Sequence, residues 1–345
     1  MSNVKYQHYL ARNHMSWFAN EDGTHSLWLI KEERVVDEQN LKTIGGQNHL
    51  YESDELPRNF IETQVLSRLE RDFFAARNRA IATKSISSPE DRQAARRYVA
   101  AQFLRQGYLH NRLVHFEQDM IFIAKEIGLD KRWATDKLTA DGRRHRASSV
   151  MAKTLFELDD AVKMIENHLV TFVERPQCDL LLPDRGFVQV YFENGEIRSD
   201  GFKSPDFKVL MPIAPNAALK LVPPPRNGRF STRTRMGERG YRLFIDNLGL
   251  NAKSFVVGTR STIRKMDWKS LPQFEPNAER LSMVLQVYNA GVLDKIIKDF
   301  HSQARLNTPY TAIRKWFYQN KFIPAVNKLF NPEGDPTADV VEFPL

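Results

Sequence analysis

One cysteine, Cys178, stands in 345 residues. A lone cysteine cannot build an internal disulfide framework or a cysteine-based zinc cluster, and it fits a reducing compartment. No apolar run approaches the ~20 residues that a membrane-spanning helix needs. The opening stretch MSNVKYQHYLARNH lacks the apolar segment of a secretory signal. The chain is therefore expected to be soluble and cytoplasmic, with no membrane partner. Several motifs are also missing. There is no Gly-x-x-x-x-Gly-Lys-Ser/Thr phosphate loop, no Gly-x-Gly-x-x-Gly turn, no His-Glu-x-x-His zinc helix and no Gly-x-Ser-x-Gly nucleophile elbow. Repeats of solenoid period and low-complexity tracts are absent too.

What is present is ordinary globular composition, with 42% hydrophobic and 27% charged residues. The length exceeds one small core and predicts one large α+β unit or two sub-domains. Fifty Lys and Arg against 42 Asp and Glu give a net charge of +8, which favours an anionic partner without naming one.

The pattern of apolar residues divides the chain. Residues 1–56 read as a small β entry segment, with a β-prone run at Ser26–Ile30, a second strand at Arg34–Val36 and a turn at Gly45-Gly46. From 57 to 175 the period becomes helical. Ile61, Val65, Leu66, Leu69, Phe73 and Ala76 share one stripe. Ser88-Pro89-Glu90-Asp91 is a helix start, with a capping serine, a proline in the first turn and acids facing the positive dipole end. That helix is expected to stop near Gly107, a third to span 113–127, and a fourth to run from Ser148 or Ser149 to about Val173. Residues 176–260 read as an antiparallel β-rich region. Phe187–Ile197 with Asn194-Gly195 is its strongest hairpin signal, and apolar stretches lie at Leu243–Leu250 and Ser254–Val257. Residues 261–345 form a C-terminal helical extension packed on a 1–260 core. The predicted fold class is α+β with segregated elements.

Several segments in order are similar to a bacterial domain-of-unknown-function family, number 4238. The stretch Gln7–Ala19 resembles its His-His-Tyr-Val-Pro opening through His8, Tyr9 and Phe18, with Ala11 in place of the proline. Leu27-Trp28-Leu29, Tyr51 and the helix opening Glu62–Glu70 fit it as well. Gln102-Phe103-Leu104-Arg105 resembles its Gln-x-x-Arg step, with Arg112 near a second basic position. Leu182–Val188 lies where the family shows Thr-Ser-Asp-Asn-Pro, of which only Asp184 is kept. Met211–Asn216 and Asn247, Asn251 with Phe255–Val257 resemble later motifs. The resemblance spans roughly residues 5–260 and implies a fold and a bacterial context without an activity.

The chemistry candidates are few. Arg226, Arg229, Arg233, Arg235, Arg239 and Arg242 fall in seventeen residues with three glycines and two aromatics, Phe230 and Tyr241. Arginine forks suit phosphates, and the rings suit base stacking. A solvated loop with internally paired arginines is an equal alternative. Arg12 and Arg112 join the candidate phosphate contacts, and Arg143, Arg144 and Arg146 form a second basic knot. His8 with Asp184 is a candidate hydrolytic pair, able to orient a water or hold a divalent cation as cofactor. A buried structural histidine and an Asx-type turn are the competing readings. Arg105 and His110 have the Arg-then-His spacing of helical ribonucleases of the HEPN class. The competing reading is a basic helix end. Three functions follow: a cytoplasmic protein binding nucleic acid or another phosphate-bearing ligand, with nuclease-like hydrolysis; a non-catalytic component docking a protein partner through its C-terminal helix at Trp316 and Phe317; or a metal-independent helical ribonuclease.

Overall fold

The structure, a computed structural model, describes residues 6–38, 40–127, 139–193, 196–197, 204, 206–225, 230–272, 297–298 and 309–330. The chain divides into two compact units, Met1–His110 with Ser148–Phe274, and Asn111–Ala147 with Glu275–Leu345. The sequence suggested a single cut after residue 260. The units part instead at 274/275, and the second also takes in 111–147. The fold class is α+β.

In the first unit, β1 (Tyr6–His8) pairs with the later β4 (Gly46–Asn48), and a short α1 (Arg12–Met15) follows it. β2 (His25–Leu29) and β3 (Arg34–Glu38) form the hairpin expected from their apolar runs. A π-helical turn at Ile61–Leu66 leads into α2 (Ser67–Thr83). The predicted stripe is real, with Ile61, Leu66, Leu69, Phe73 and Ala76 all buried. α3 (Pro89–Leu104) starts as predicted, the Ser88 hydroxyl accepting from the Asp91 N–H. α4 (Gly107–Glu126), whose residues from Asn111 onward belong to the second unit, begins at a glycine for a steric reason, because a Cβ there would lie 2.2 Å from the Tyr9 ring.

The helix expected from 148 to 173 is a correction. α5 (Ala140–Thr154) and α6 (Leu158–Met164) are interrupted by a 3-10 turn, and residues Leu169–Glu174 form strand β5. Val170, Thr171 and Val173 are β-branched, and their alternation suits a sheet covered on both faces. The basic knot at 143–146 lies inside α5 rather than before a helix.

β6 (Leu182–Pro183) and β7 (Val188–Gln189) follow, then β8 (Phe192–Glu193) and β9 (Glu196–Ile197), which pair as the predicted hairpin. Next come β10 (Val209–Ala214), β11 (Ala217–Val222) and β12 (Arg233–Arg235). The main sheet has the order β12-β5-β11-β10-β7, antiparallel except for β12 beside β5. α7 (Glu238–Asn251) takes the Leu243–Leu250 stretch that the sequence placed in the β-rich region. Its buried Phe244, Asn247, Leu248 and Asn251 recur at three- and four-residue steps, the helical period. β13 (Phe255–Gly258) completes a second sheet, β3-β2-β13-β6, and α8 (Arg260–Lys265) is followed by a 3-10 turn at Trp268–Ser270.

The core forms in two layers about the main sheet. Val170, Phe172, Met211, Ile213, Leu219 and Leu221 pack with Phe73, Tyr98 and Val99 from α2 and α3. The alternate residues Val173, Leu210 and Ala218 pack with Phe244 and Leu248 of α7 and Val256 of β13. This is the period-2 alternation of strands buried on both faces.

In the second unit, α9 (Tyr310–Phe317), a π turn at Tyr318–Phe322 and α10 (Ile323–Phe330) run on without a break. A proline such as Pro324 ordinarily interrupts a helix. The π turn instead widens the helix before the proline, whose ring would clash with the carbonyl four residues back in a regular α-helix. Phe317, expected at an exposed docking face, is a correction. It is buried with Ile123, Phe322 and Val326, whereas Trp316 is 51% exposed.

Phe172→Ala should destabilise the first unit by about 3–5 kcal/mol, since it leaves a cavity between the sheet and α3. Urea unfolding monitored by tryptophan fluorescence reads this, and a loss below about 1 kcal/mol would contradict the layered core.

Candidate active site

Arg105 caps the end of α3, and its side chain is 0% exposed. Its Nη1 donates to Glu70 Oε1 at 2.6 Å and its Nε donates to Gln102 Oε1 at 3.1 Å. The guanidinium lies 5.5 Å over the Tyr98 ring. Burial opposes the charge, yet Glu70, Tyr98 and Tyr51 outweigh it and hold the guanidinium protonated. Nη2 is buried with no hydrogen-bond partner. Leaving a charged donor so costs on the order of 1–3 kcal/mol or more, which makes it unusual in a native core.

Glu62 sits in the π turn that precedes α2. Eight residues of a straight α-helix turn through roughly 800°, which would leave Glu62 and Glu70 about 80° apart. The π turn takes fewer degrees per residue and brings Glu62 round toward the face of Glu70. Glu62 is largely buried, and this pushes its pKa up to about 7. Arg105 opposes that rise, Glu70 adds to it, and the His8 main-chain N–H and Arg12 lower it. Its Oε2 is buried and has no partner.

His8 enters from β1. Gly46 opposite it accommodates the close pairing, since a Cβ there would come within 2.5 Å of the Gln7 carbonyl. The imidazole is held below its usual pKa, chiefly by burial and then by Arg12. The main chain of Leu41 and Lys42 and the Glu70 carboxylate act in the opposite sense. His8 Nε2 is buried without a partner. Tyr51 is placed by Gln7, whose Oε1 accepts its N–H at 2.7 Å. The Tyr51 hydroxyl reaches the His8 and Arg105 carbonyls, both at 3.4 Å. Three chain segments thus bring together a neutral imidazole, a carboxyl titrating near neutrality and a cation with a spare donor. Such a set supports proton transfer beside a bound anion.

Of the residues singled out from sequence, His8, Arg12 and Arg105 therefore belong to one electrostatic cluster around Glu62. Asp184 stands elsewhere. Its two oxygens accept from the Lys253 and Ser254 N–H groups at 3.0 and 2.9 Å, and its own N–H donates to the Phe255 carbonyl. Burial raises its pKa to about 6 against those bonds, and its charge acts on Tyr9. Asp184 thus clamps β6 to the start of β13. Among the described residues no three His, Cys, Asp or Glu side chains group so as to hold a metal. Arg105 and His110 lie on separate elements, the cap of α3 and helix α4, and His110 Nε2 meets the Ser148 hydroxyl at 3.2 Å. Arg112 belongs to the second unit, where its side chain is engaged.

In the described part of the arginine-rich stretch, Arg233 follows the internal-pairing alternative, one of the two readings its composition left open. Arg226 and Arg229 lie outside the described residues. Arg233 donates to Glu174 at 2.8 Å, and Lys84 reaches the same carboxylate at 2.6 Å. Arg239 is engaged within the protein. Arg235 is exposed on β12. Missed from the sequence were Glu62 and Glu70 as site residues, and Tyr51, Tyr98 and His14 as their surroundings. The available signals were the Gln102-x-x-Arg105 spacing and the family-like Tyr51 and Glu62–Glu70 stretches.

The family profile matches residues 6–235. The chain belongs to the family described as Protein of unknown function (DUF4238). No curated protein and no solved structure matches it. The DUF4238 match encloses every residue of the centre, from His8 to Arg105, and stops short of the Asn247 and Asn251 motif. Those two asparagines act on structure: Asn247 Oδ1 accepts from the Tyr191 N–H and Asn251 Oδ1 from the Gln189 N–H. They hold the β7 edge to α7.

A carboxyl whose folded pKa is raised favours the native state while protonated, so stability from Glu62 falls as pH rises from about 4.5 to about 7 and is then flat. His8 and His14 have lowered pKa values and act oppositely below about 6.5, so the comparison must be with a variant that removes Glu62 alone. Glu62→Gln should gain on wild type by on the order of 2 kcal/mol between pH 4.5 and 7.5 in urea unfolding. A difference that does not change over that range would contradict the buried, unpaired carboxyl.

Proposed function

We propose that this DUF4238 protein binds a phosphate-bearing ligand at the His8–Glu62–Arg105 centre and hydrolyses it by general acid–base catalysis, as a nuclease-like hydrolase of the bacterial cytoplasm. The exposed, unpaired Cys178 suits that setting. One observation carries the reading. A carboxylate oxygen of Glu62 and a guanidinium nitrogen of Arg105 are both buried in one electrostatic cluster, and neither has a protein partner. A base and a cation kept dry and unsatisfied are what an acid–base site for an anionic substrate requires.

In this reading Arg105 and the exposed Arg12 neutralise the phosphate, and Arg105 stabilises the charge that builds on its oxygens. Glu62 takes a proton from water as the water oxygen bonds to phosphorus. The bond to the leaving oxygen breaks, and the proton on Glu62 passes to that oxygen. His8 Nε2 hydrogen-bonds the attacking water. A second reading, docking of a protein partner by the C-terminal helices, draws on the half-exposed Trp316 alone.

Cleavage of short single-stranded RNA and DNA, and of bis(p-nitrophenyl) phosphate, tests the reading. Wild type should cleave at least one, with a rate that climbs as pH passes about 7 and Glu62 loses its proton. Glu62→Gln should lower the rate by roughly 100-fold or more, and Arg105→Lys should lower it as well. Arg233→Ala with Arg235→Ala should leave it unchanged. Wild-type rates in Glu62→Gln, or no cleavage by wild type of any of the three, would overturn the proposal. Loss confined to the double arginine variant would return the ligand to β12.

A further inference from the structure

The guanidinium of Arg105 is one end of a buried hydrogen-bond chain whose direction is forced at every step. Arg105 Nε can only donate, so Gln102 Oε1 accepts from it at 3.1 Å. That fixes the amide orientation, and Gln102 Nε2 donates to the Tyr98 hydroxyl at 2.8 Å. At the far end the Pro212 carbonyl can only accept, so His14 Nε2, 2.6 Å away, carries the ring proton. A neutral imidazole then presents Nδ1 as an acceptor, and the Tyr98 hydroxyl donates to it at 3.2 Å. The order is Arg105 to Gln102 to Tyr98 to His14 to Pro212, with one proton per link.

Each member is also held by packing. Tyr98 stacks on Phe73 with centroids 3.8 Å apart and planes 6° from parallel. His14 stands edge-on to both rings, at 6.1 and 5.6 Å. Gln102 lies against Gly186, where a Cβ would come within 3.2 Å of its amide carbon and nitrogen. The anchor is rigid, since Pro212 lies in β10, every residue of which is buried. The β10–β11 register also shifts between Pro212 and Ala214, a bulge that interrupts the ladder beside the accepting carbonyl. Burial holds His14 down to about pKa 3, so it keeps one tautomer across the physiological range.

A network serving stability alone would end in satisfied groups. This one satisfies the hydroxyl, the amide and both ring nitrogens and still ends on an unpartnered Nη2, while Glu70 occupies Nη1. We infer that His14, Tyr98 and Gln102 are positioning residues that fix the Arg105 guanidinium so that Nη2 receives a tetrahedral oxyanion, either free phosphate or a phosphoester group. The inference rests on the reading of this centre as a phosphate site and adds the residues that aim its receptor.

Isothermal titration with inorganic phosphate on the full chain tests it, with an anisotropy titration of a labelled dT oligonucleotide to separate the free ion from the ester. Tyr98→Phe deletes only the hydroxyl and keeps the stacked ring. Gln102→Met interrupts the chain at a second point. Each should raise the Kd for the preferred anion about tenfold. Melting temperatures should stay within a few degrees of wild type, and Arg105→Ala should abolish binding. In the NMR spectrum the Arg105 Nε–H signal, slow to exchange in wild type, should become fast in Gln102→Met. Wild-type affinity in both Tyr98→Phe and Gln102→Met, with binding lost in Arg105→Ala, would refute the positioning chain and leave the anion site standing. No binding of phosphate or oligonucleotide by the wild-type chain would refute the anion receptor itself.

Discussion

A guanidinium sealed from water must be matched by charge and hydrogen bonds, and the centre of this molecule is organised around that requirement. Arg105 meets Glu70 at 2.6 Å and Gln102 at 3.1 Å, yet one of its nitrogens is left over. Removing Glu70 would strand a buried charge, which is far more damaging than losing an exposed ion pair. The pairing therefore ties the end of α3 to the inner face of α2. The same negative charge on Glu70 helps to keep Glu62 protonated to near neutrality. The ion pair thus fixes the geometry of the centre, while burial is the main cause of the raised Glu62 pKa and Arg105 opposes it.

The larger fold supplies the rigidity that this arrangement needs. The main sheet is covered on both faces, by α2 and α3 on one side and by α7 with the second sheet on the other. Within the first layer, the Phe73–Tyr98 stack is both core packing and the base on which the donor chain rests. Buried polar networks of this kind are costly if any member is unsatisfied, which gives the single free donor its significance. Asp184, Asn247 and Asn251 do related work elsewhere, each accepting from main-chain N–H groups to fasten strand ends.

Much of the fold was legible where local chemistry governs it. The Ser88-Pro89 start of α3, the β2–β3 hairpin and the apolar stripe of α2 all follow from caps, turns and period. β5 was not legible, because its apolar residues adjoin a true helix and its strand state depends on β11 and β12 as neighbours. The stretch beyond Pro225 read as a cationic loop. Its Arg233 is neutralised by Glu174, a partner 59 residues away that no local pattern reveals. Of the site, His8, Arg12 and Arg105 were within reach of the sequence. Glu62 and Glu70 were not, because a spacing of eight aligns two side chains only when a π turn intervenes. No local pattern marks His14 and Tyr98, and only their placement by distant segments makes them a chain.

The central claim is that the spare nitrogen of Arg105 is the receptor for an oxyanion, and a heavy-atom oxyanion locates that directly. A crystal of the full chain soaked in tungstate and recorded at the tungsten absorption edge should show anomalous density within hydrogen-bonding distance of Arg105 Nη2, between Glu62 and His8. Tungsten density confined to the exposed face of β12, or a centre holding only ordered water at tungstate concentrations that occupy other sites, would contradict the account.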